Sequence, residues 1–169
     1  MNYAKAGVFF FFCWLVQTTL LWRIWPFGAA PSLILCATVC FAWLYDASYA
    51  LVFGSVFGLF LDLQVHTLIG VTGLTLVFCC VPAMILRLYF NPERILPVIV
   101  AALAATPIYV FFQWGIHSLF GAPQGFLYVM GTVPELLIPQ TLICIILHLL
   151  FVRTIIKDRK DRRFIGGAA

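Results

Sequence analysis

Long apolar stretches, separated only by short turns, constrain the fold of this chain more than any other feature. Hydrophobic residues make up 64% of the 169 residues, charged residues make up 9%, and the mean hydropathy is +1.08. A water-soluble domain of this size does not have such a composition. Six apolar spans are predicted, at residues 6–25, 29–44, 49–63, 68–90, 95–120 and 133–152. The expected fold class is therefore an all-α integral membrane protein, a six-transmembrane-helix bundle.

The positions of the cations predict how this bundle is oriented. Six spans place both termini on the same side, and nine of the ten Lys and Arg residues fall on that side. The positive-inside rule makes that side cytoplasmic. Only Arg23 falls on the other side. The nine cytoplasmic cations are Lys5, Arg87, Arg94, Arg153, Lys157, Arg159, Lys160, Arg162 and Arg163.

The last six of these cations define a second region of the chain. We expect residues 1–152 to form the six-helix membrane domain and residues 153–169 to form a basic cytoplasmic tail. Such a tail is typically attracted to anionic lipid, by about 1 kcal/mol for each cation near the surface. Docking of a cytoplasmic partner is the alternative. Nucleic acid is not expected, because the cations directly follow a membrane span.

Two segments do not fit a standard span. The third span has fifteen residues and covers only about 23 Å, less than a hydrocarbon core of about 30 Å. It would therefore need shielding by its neighbours or a locally thinner bilayer. Residues 121–131 are apolar but glycine-rich, and the sequence leaves open whether they form an interfacial or re-entrant loop.

The densest motif in the chain is a stripe of small residues that ends in an acid. Gly54 and Gly58 are four residues apart, and Asp62 follows four residues later on the same helical face. Gly70 and Gly73 come one loop further on. Small residues at this spacing let helix backbones approach closely in lipid. The stripe is expected to be a packing seam inside the bundle, with a seam for a partner protein and a transport or catalytic role as alternatives.

The spacing of the chemically active residues argues against catalysis. Asp46 and Asp62 are sixteen residues apart on one predicted helix, about 24 Å, so they cannot share a proton. The six cysteines lie inside apolar spans without a histidine or acid at ligand spacing, which favours a packing role. No motif for a nucleotide, metal or haem is present in the sequence. We therefore expect neither an enzyme nor a cofactor.

Residues of the second to fourth spans resemble one known family. The rod-shape-determining membrane protein MreD family carries a proline at the start of the second span, then Gly-x-x-x-Gly-x-x-x-Asp, then a glycine about eight residues later. In this sequence those positions are Pro31, then Gly54, Gly58 and Asp62, then Gly70. The similarity covers about forty residues. Many members have a polar residue such as Asp or Asn after the proline, where this chain has Ser32.

The resemblance implies a non-enzymatic scaffold in a bacterial inner membrane. The family works with MreC, with the filament protein MreB, and with RodA and its class B penicillin-binding protein in sidewall peptidoglycan synthesis. Its fold is similar to the substrate-binding subunit of energy-coupling-factor transporters, which makes vitamin capture the alternative function. Those subunits dock through an Ala-x-x-x-Ala stripe on the first span, and the first span here lacks one.

Overall fold

Helices are the only regular elements in the part of the chain that the structure describes. The computed structural model describes residues 3–21, 30–45, 47–65, 69–90, 95–121 and 125–166. Helix α1 (Tyr3–Val16) continues into a π-helical turn (Gln17–Leu21). The later helices are α2 (Leu33–Leu44), α3 (Ala47–Val65), α4 (Val71–Tyr89), α5 (Ile95–Leu119) and α6 (Phe126–Gly166).

Four of these helices, α3 to α6, are long and apolar enough to cross a membrane. The chain thus has the architecture of a multi-pass helical membrane protein. Helix α2 is apolar but has only 12 residues, and α1 has 14 before its π-helical turn. The six-span bundle with both termini in the cytoplasm therefore stays a prediction.

The helix boundaries differ from the predicted spans at three places. Helix α2 begins at Leu33, because Pro31 cannot donate a backbone hydrogen bond and Ser32 caps the helix. Helix α3 has 19 residues, about 28 Å, so the expectation of a short third span was wrong. Its polar end, up to Val65, is helical beyond the apolar stretch.

Helix α6 is the third difference. It begins at Phe126 rather than at residue 133, and it runs unbroken for 41 residues. The described part of the segment 121–131 is therefore largely the first turn and a half of α6 and not a re-entrant loop. Pro134 and Pro139 lie inside the helix, where proline removes a backbone hydrogen bond, and Gly131 costs about 1 kcal/mol relative to alanine. Membrane helices tolerate such residues because neighbouring helices and local backbone adjustment satisfy the freed groups.

Helix α2 lies at the centre of the molecule. Ten of its 12 residues are buried, and it packs against α1, α3, α4, α5 and α6. A helix that is apolar all round has no face to present to water or headgroups, so burial is its stable position. Phe10 of α1 and Phe41 of α2 are fully buried and their rings lie 5.0 Å apart, in the middle of this core. The bundle is thus organised around α2.

The predicted orientation has a direct test. A reporter fused after Arg163 is expected to read the cytoplasm, and one inserted within residues 121–131 is expected to read the opposite side, because of the cation distribution. Reporter enzymes active on only one side of the membrane make the measurement. A C-terminal fusion that reads the outer side would contradict the orientation. Arg23 and Arg94, used in that prediction, lie outside the described residues.

Candidate functional site

The glycine stripe of α3 lies against α4 at backbone contact distance. A Cβ atom added to Gly58 would lie 2.5 Å from the Cα of Gly73. A Cβ atom added to Gly73 would lie 3.0 Å from the carbonyl oxygen of Ser55. Neither contact can be relieved by rotating a side chain, since the opposing atoms are backbone. Gly58 and Gly73 therefore set the distance between α3 and α4.

Gly54 extends this seam to the central helix. A Cβ atom on Gly54 would lie 2.7 Å from the Cγ2 of Thr38 in α2. Thr38 is fully buried, and its hydroxyl donates to the carbonyl oxygen of Leu35 at 2.8 Å, which fixes its rotamer. The stripe thus joins three helices, α2, α3 and α4, and we call it the glycine seam: Gly54, Gly58 and Gly73.

Asp62 ends the glycine seam by capping α4. Its Oδ2 accepts hydrogen bonds from the backbone N–H of Gly70 at 2.8 Å and of Thr72 at 3.0 Å, and its side chain is buried. Gly70 is the N-cap residue, with φ +98° and no side chain of its own to cap the helix. A carboxylate is favoured here because it satisfies free N–H groups and faces the positive end of the helix dipole.

A second polar junction lies at the start of α2. Gln140 of α6 makes two hydrogen bonds with the backbone of Ser32. Its Oε1 accepts from the Ser32 N–H at 3.0 Å, and its Nε2 donates to the Ser32 carbonyl oxygen at 2.9 Å. Gln17, in the π-helical turn, accepts from the N–H of Ile34 at 3.0 Å. The hydroxyl of Ser32 accepts from the N–H of Leu35 at 3.3 Å, and Pro31 is fully buried beside it. We call Gln17, Ser32 and Gln140 the polar junction.

The contact between Gln140 and Ser32 was not predicted from the sequence. The two are 108 residues apart, so no local spacing connects them. The available signal was the pair Pro31–Ser32 directly before an apolar run, which is typical of a helix start with a capping serine. Lipid offers no hydrogen-bond partner, so the free N–H groups at the start of α2 require protein side chains.

Replacing Gln140 by leucine is expected to lower the free energy of unfolding by about 1–3 kcal/mol, because the buried backbone N–H of Ser32 loses its acceptor. The measurement is thermal or denaturant unfolding of the purified protein in detergent. Gln64→Leu is the matched control, since Gln64 is exposed on α3 and should change little. Equal effects of the two substitutions would contradict the role given to the polar junction.

The cations occupy two kinds of position. The guanidinium of Arg87 donates a hydrogen bond to the carbonyl oxygen of Tyr45, at the end of α2. Arg153 is exposed. Lys5, in α1, is exposed as well. Five further basic residues are on the helical backbone of α6, but their side chains lie outside the described part of the structure: Lys157, Arg159, Lys160, Arg162 and Arg163.

The acidic side chains do not converge on a reaction centre in the described ranges. Asp62 is bound to backbone N–H groups and Glu135 is exposed on α6, while Asp46 lies outside those ranges. All six cysteines are buried and free, and His148 is fully buried without a hydrogen-bond partner there. No group of three or more His, Cys, Asp or Glu residues suited to a metal ion occurs among the described residues.

An open groove lies between α4 and α5. Its volume is about 560 Å³ and its walls are almost wholly apolar. Pro82 and Ile85 of α4 and Ala104 of α5 are among its lining residues. A groove of this kind suits an acyl chain or an apolar side chain, and it offers no polar group with which to orient a polar ligand.

Comparison with known proteins adds no relative. The chain matches no protein-family model, and neither the curated proteins nor the solved structures contain a significant match.

Proposed function

We propose that this chain is a non-enzymatic membrane scaffold of the cell-wall elongation complex, of the MreD kind. The observation that carries the proposal is the glycine seam together with Asp62. Gly54, Gly58, Asp62 and Gly70, on which the sequence resemblance rests, are part of one structural unit that joins α2, α3 and α4. These motif positions therefore have packing and helix-capping roles, which supports a scaffold function.

The polar side chains of the described bundle support the same proposal. Asp62 binds the start of α4, Gln140 binds the start of α2, and Gln113 of α5 donates to the hydroxyl of Thr72 at 3.1 Å. Each of these groups holds one helix against another. A transporter or an enzyme needs polar groups directed at a ligand. These three side chains instead make hydrogen bonds between helices, which stabilise the bundle.

The partners follow from the resemblance. The scaffold binds MreC and, through the complex, MreB, RodA and the class B penicillin-binding protein, in the inner membrane of a bacterium. The basic end of α6, from Arg153 to Arg163, contacts anionic lipid on the cytoplasmic face. The alternative of vitamin capture gains no support from the groove between α4 and α5, because its walls are almost wholly apolar.

Depletion of the chain in its rod-shaped host is expected to make the cells round, because sidewall synthesis loses its scaffold. The measurement is the cell aspect ratio, followed by complementation with plasmid-borne wild type. Gly115→Ala is the matched variant that should complement fully, since an added Cβ there meets no atom within 4 Å. Cells that stay rod-shaped after depletion would contradict the proposal.

A further inference from the structure

One face of α6 carries an ionisable side chain among exposed apolar ones. Five exposed residues of α6 are spaced by three or four positions, so they share one side of the helix. They are Leu127, Gly131, Glu135, Ile138 and Leu142. We call this set the α6 outer face. Glu135 makes no ion pair and no hydrogen bond with any of the residues that the structure describes.

Glu135 is a charged side chain near one boundary of a membrane span, where it costs less than at the membrane centre. It belongs to the apolar window Phe126–Arg153, and about 27 Å of helix separates it from Arg153 at the other end. With a hydrocarbon core of about 30 Å, Glu135 lies just inside the core boundary when Arg153 is at the opposite interface. A charged side chain within a membrane span normally marks a functional contact with a partner group.

The apolar window of α6 is longer than the hydrocarbon core. The apolar window has 28 residues, or about 42 Å, whereas the hydrocarbon core is about 30 Å thick. A tilt of about 45° would be needed to place all of it in the core, and membrane helices are usually tilted by 0–40°. Leu127 is 87% exposed and Leu119, across the α5–α6 turn, is 85% exposed. The Phe126 end of the window therefore presents exposed apolar side chains on both sides of the α5–α6 turn.

The chain itself shows what a Gly-x-x-x-acid stripe can do. In α3, Gly58 and Asp62 hold α4 at backbone contact distance and bind its N–H groups. Gly131 and Glu135 have the same spacing in α6, but a Cβ atom added to Gly131 would meet no atom within 4 Å. Gly131 thus costs helix stability, about 1 kcal/mol relative to alanine, without a packing contact in the described bundle.

We propose that the α6 outer face docks a transmembrane helix of a partner protein that presents a Lys or Arg to Glu135. The charge of the face selects this occupant. A second copy of the chain docked through the same face would bring two Glu135 carboxylates together, with no cation on the face to separate them. A cation on the partner neutralises Glu135, and Gly131 lets the partner backbone approach. The proposal rests on the scaffold function and adds the surface through which it acts.

The test is photocrosslinking in native membranes from a reactive amino acid placed at Ile138. The expected result is one adduct with a partner protein, identified by mass spectrometry, that carries Lys or Arg at the same membrane depth. Glu135→Lys should lower the adduct about tenfold or more, and replacing the partner's cation by Glu should restore it in the Glu135→Lys background. Leu63→Lys is the matched control, because it adds a cation to an exposed position at the end of α3.

A second variant separates docking from folding. Gly131→Leu has open space for its side chain, so the melting temperature in detergent should hold while the adduct is lost. An adduct of twice the mass of the chain, no adduct, or an adduct unchanged by Glu135→Lys would each overturn the proposed docking. If MreC still co-purifies in any of these cases, the scaffold function stands and only this surface is wrong.

Discussion

Gly58→Leu is expected to abolish the folded bundle, with a loss of about 3 kcal/mol or more in the free energy of unfolding. The first atom of the new side chain would already lie 2.5 Å from the Cα of Gly73, so α3 and α4 must separate. Overpacking costs 1–3 kcal/mol where side chains can adjust, and here the opposing atoms are backbone. The measurement is the amount of monodisperse protein after detergent extraction, together with its melting temperature.

Two further variants make this prediction specific. Gly58→Ala should also destabilise, because its Cβ is the clashing atom, whereas Gly115→Leu should leave stability nearly unchanged because its site is open. A Gly58→Leu protein with wild-type yield and melting temperature would show that α3 and α4 do not meet at this seam. Wild-type yield and melting temperature for Gly58→Ala alone would mean that α3 and α4 lie further apart. The distance from an added Gly58 Cβ to the Cα of Gly73 would then exceed 2.5 Å.

Asp62→Leu is expected to have the second largest effect, because it removes the acceptor of two backbone N–H groups at the start of α4. An unsatisfied buried donor costs about 1–3 kcal/mol, so the loss for two donors is about 2–6 kcal/mol. The leucine side chain has the same branching as Asp and brings no acceptor to Gly70 or Thr72. Unfolding in detergent measures the change.

Asp62→Asn separates hydrogen bonding from the negative charge. Its amide oxygen can still accept from the N–H groups of Gly70 and Thr72, so the variant should lie between wild type and Asp62→Leu in stability. If Asp62→Asn and Asp62→Leu are equally damaging, the negative charge itself is required. If both are silent, Asp62 does not cap α4.

The glycine seam illustrates what the sequence can predict in a membrane bundle. Gly54, Gly58 and Asp62 are close in sequence, and helical periodicity alone places them on one face. The loop from α3 to α4 is short, so these two helices must be neighbours. The contact of Gly58 with Gly73, and the backbone N–H groups bound by Asp62, required the three-dimensional structure.

Features that depend on distant residues could not be read from the sequence. Ser32 and Gln140 meet because α2 and α6 lie side by side, which no local pattern records. Hydropathy also misplaced the ends of α3 and α6, since a helix continues through polar or glycine-containing turns while its backbone hydrogen bonds remain available. The exposure of Glu135 likewise follows from how α6 packs, and its residue type alone does not determine it.

Affinity purification of the intact chain from native membranes of its host tests the scaffold function most directly. The purification uses a mild detergent, and mass spectrometry identifies the co-purified proteins against a membrane protein of similar size and abundance. We predict that MreC is enriched with the wild-type chain and with Gly115→Ala, whose added Cβ has open space. A chain that enriches no elongation protein, but binds a vitamin tightly after purification, would contradict it.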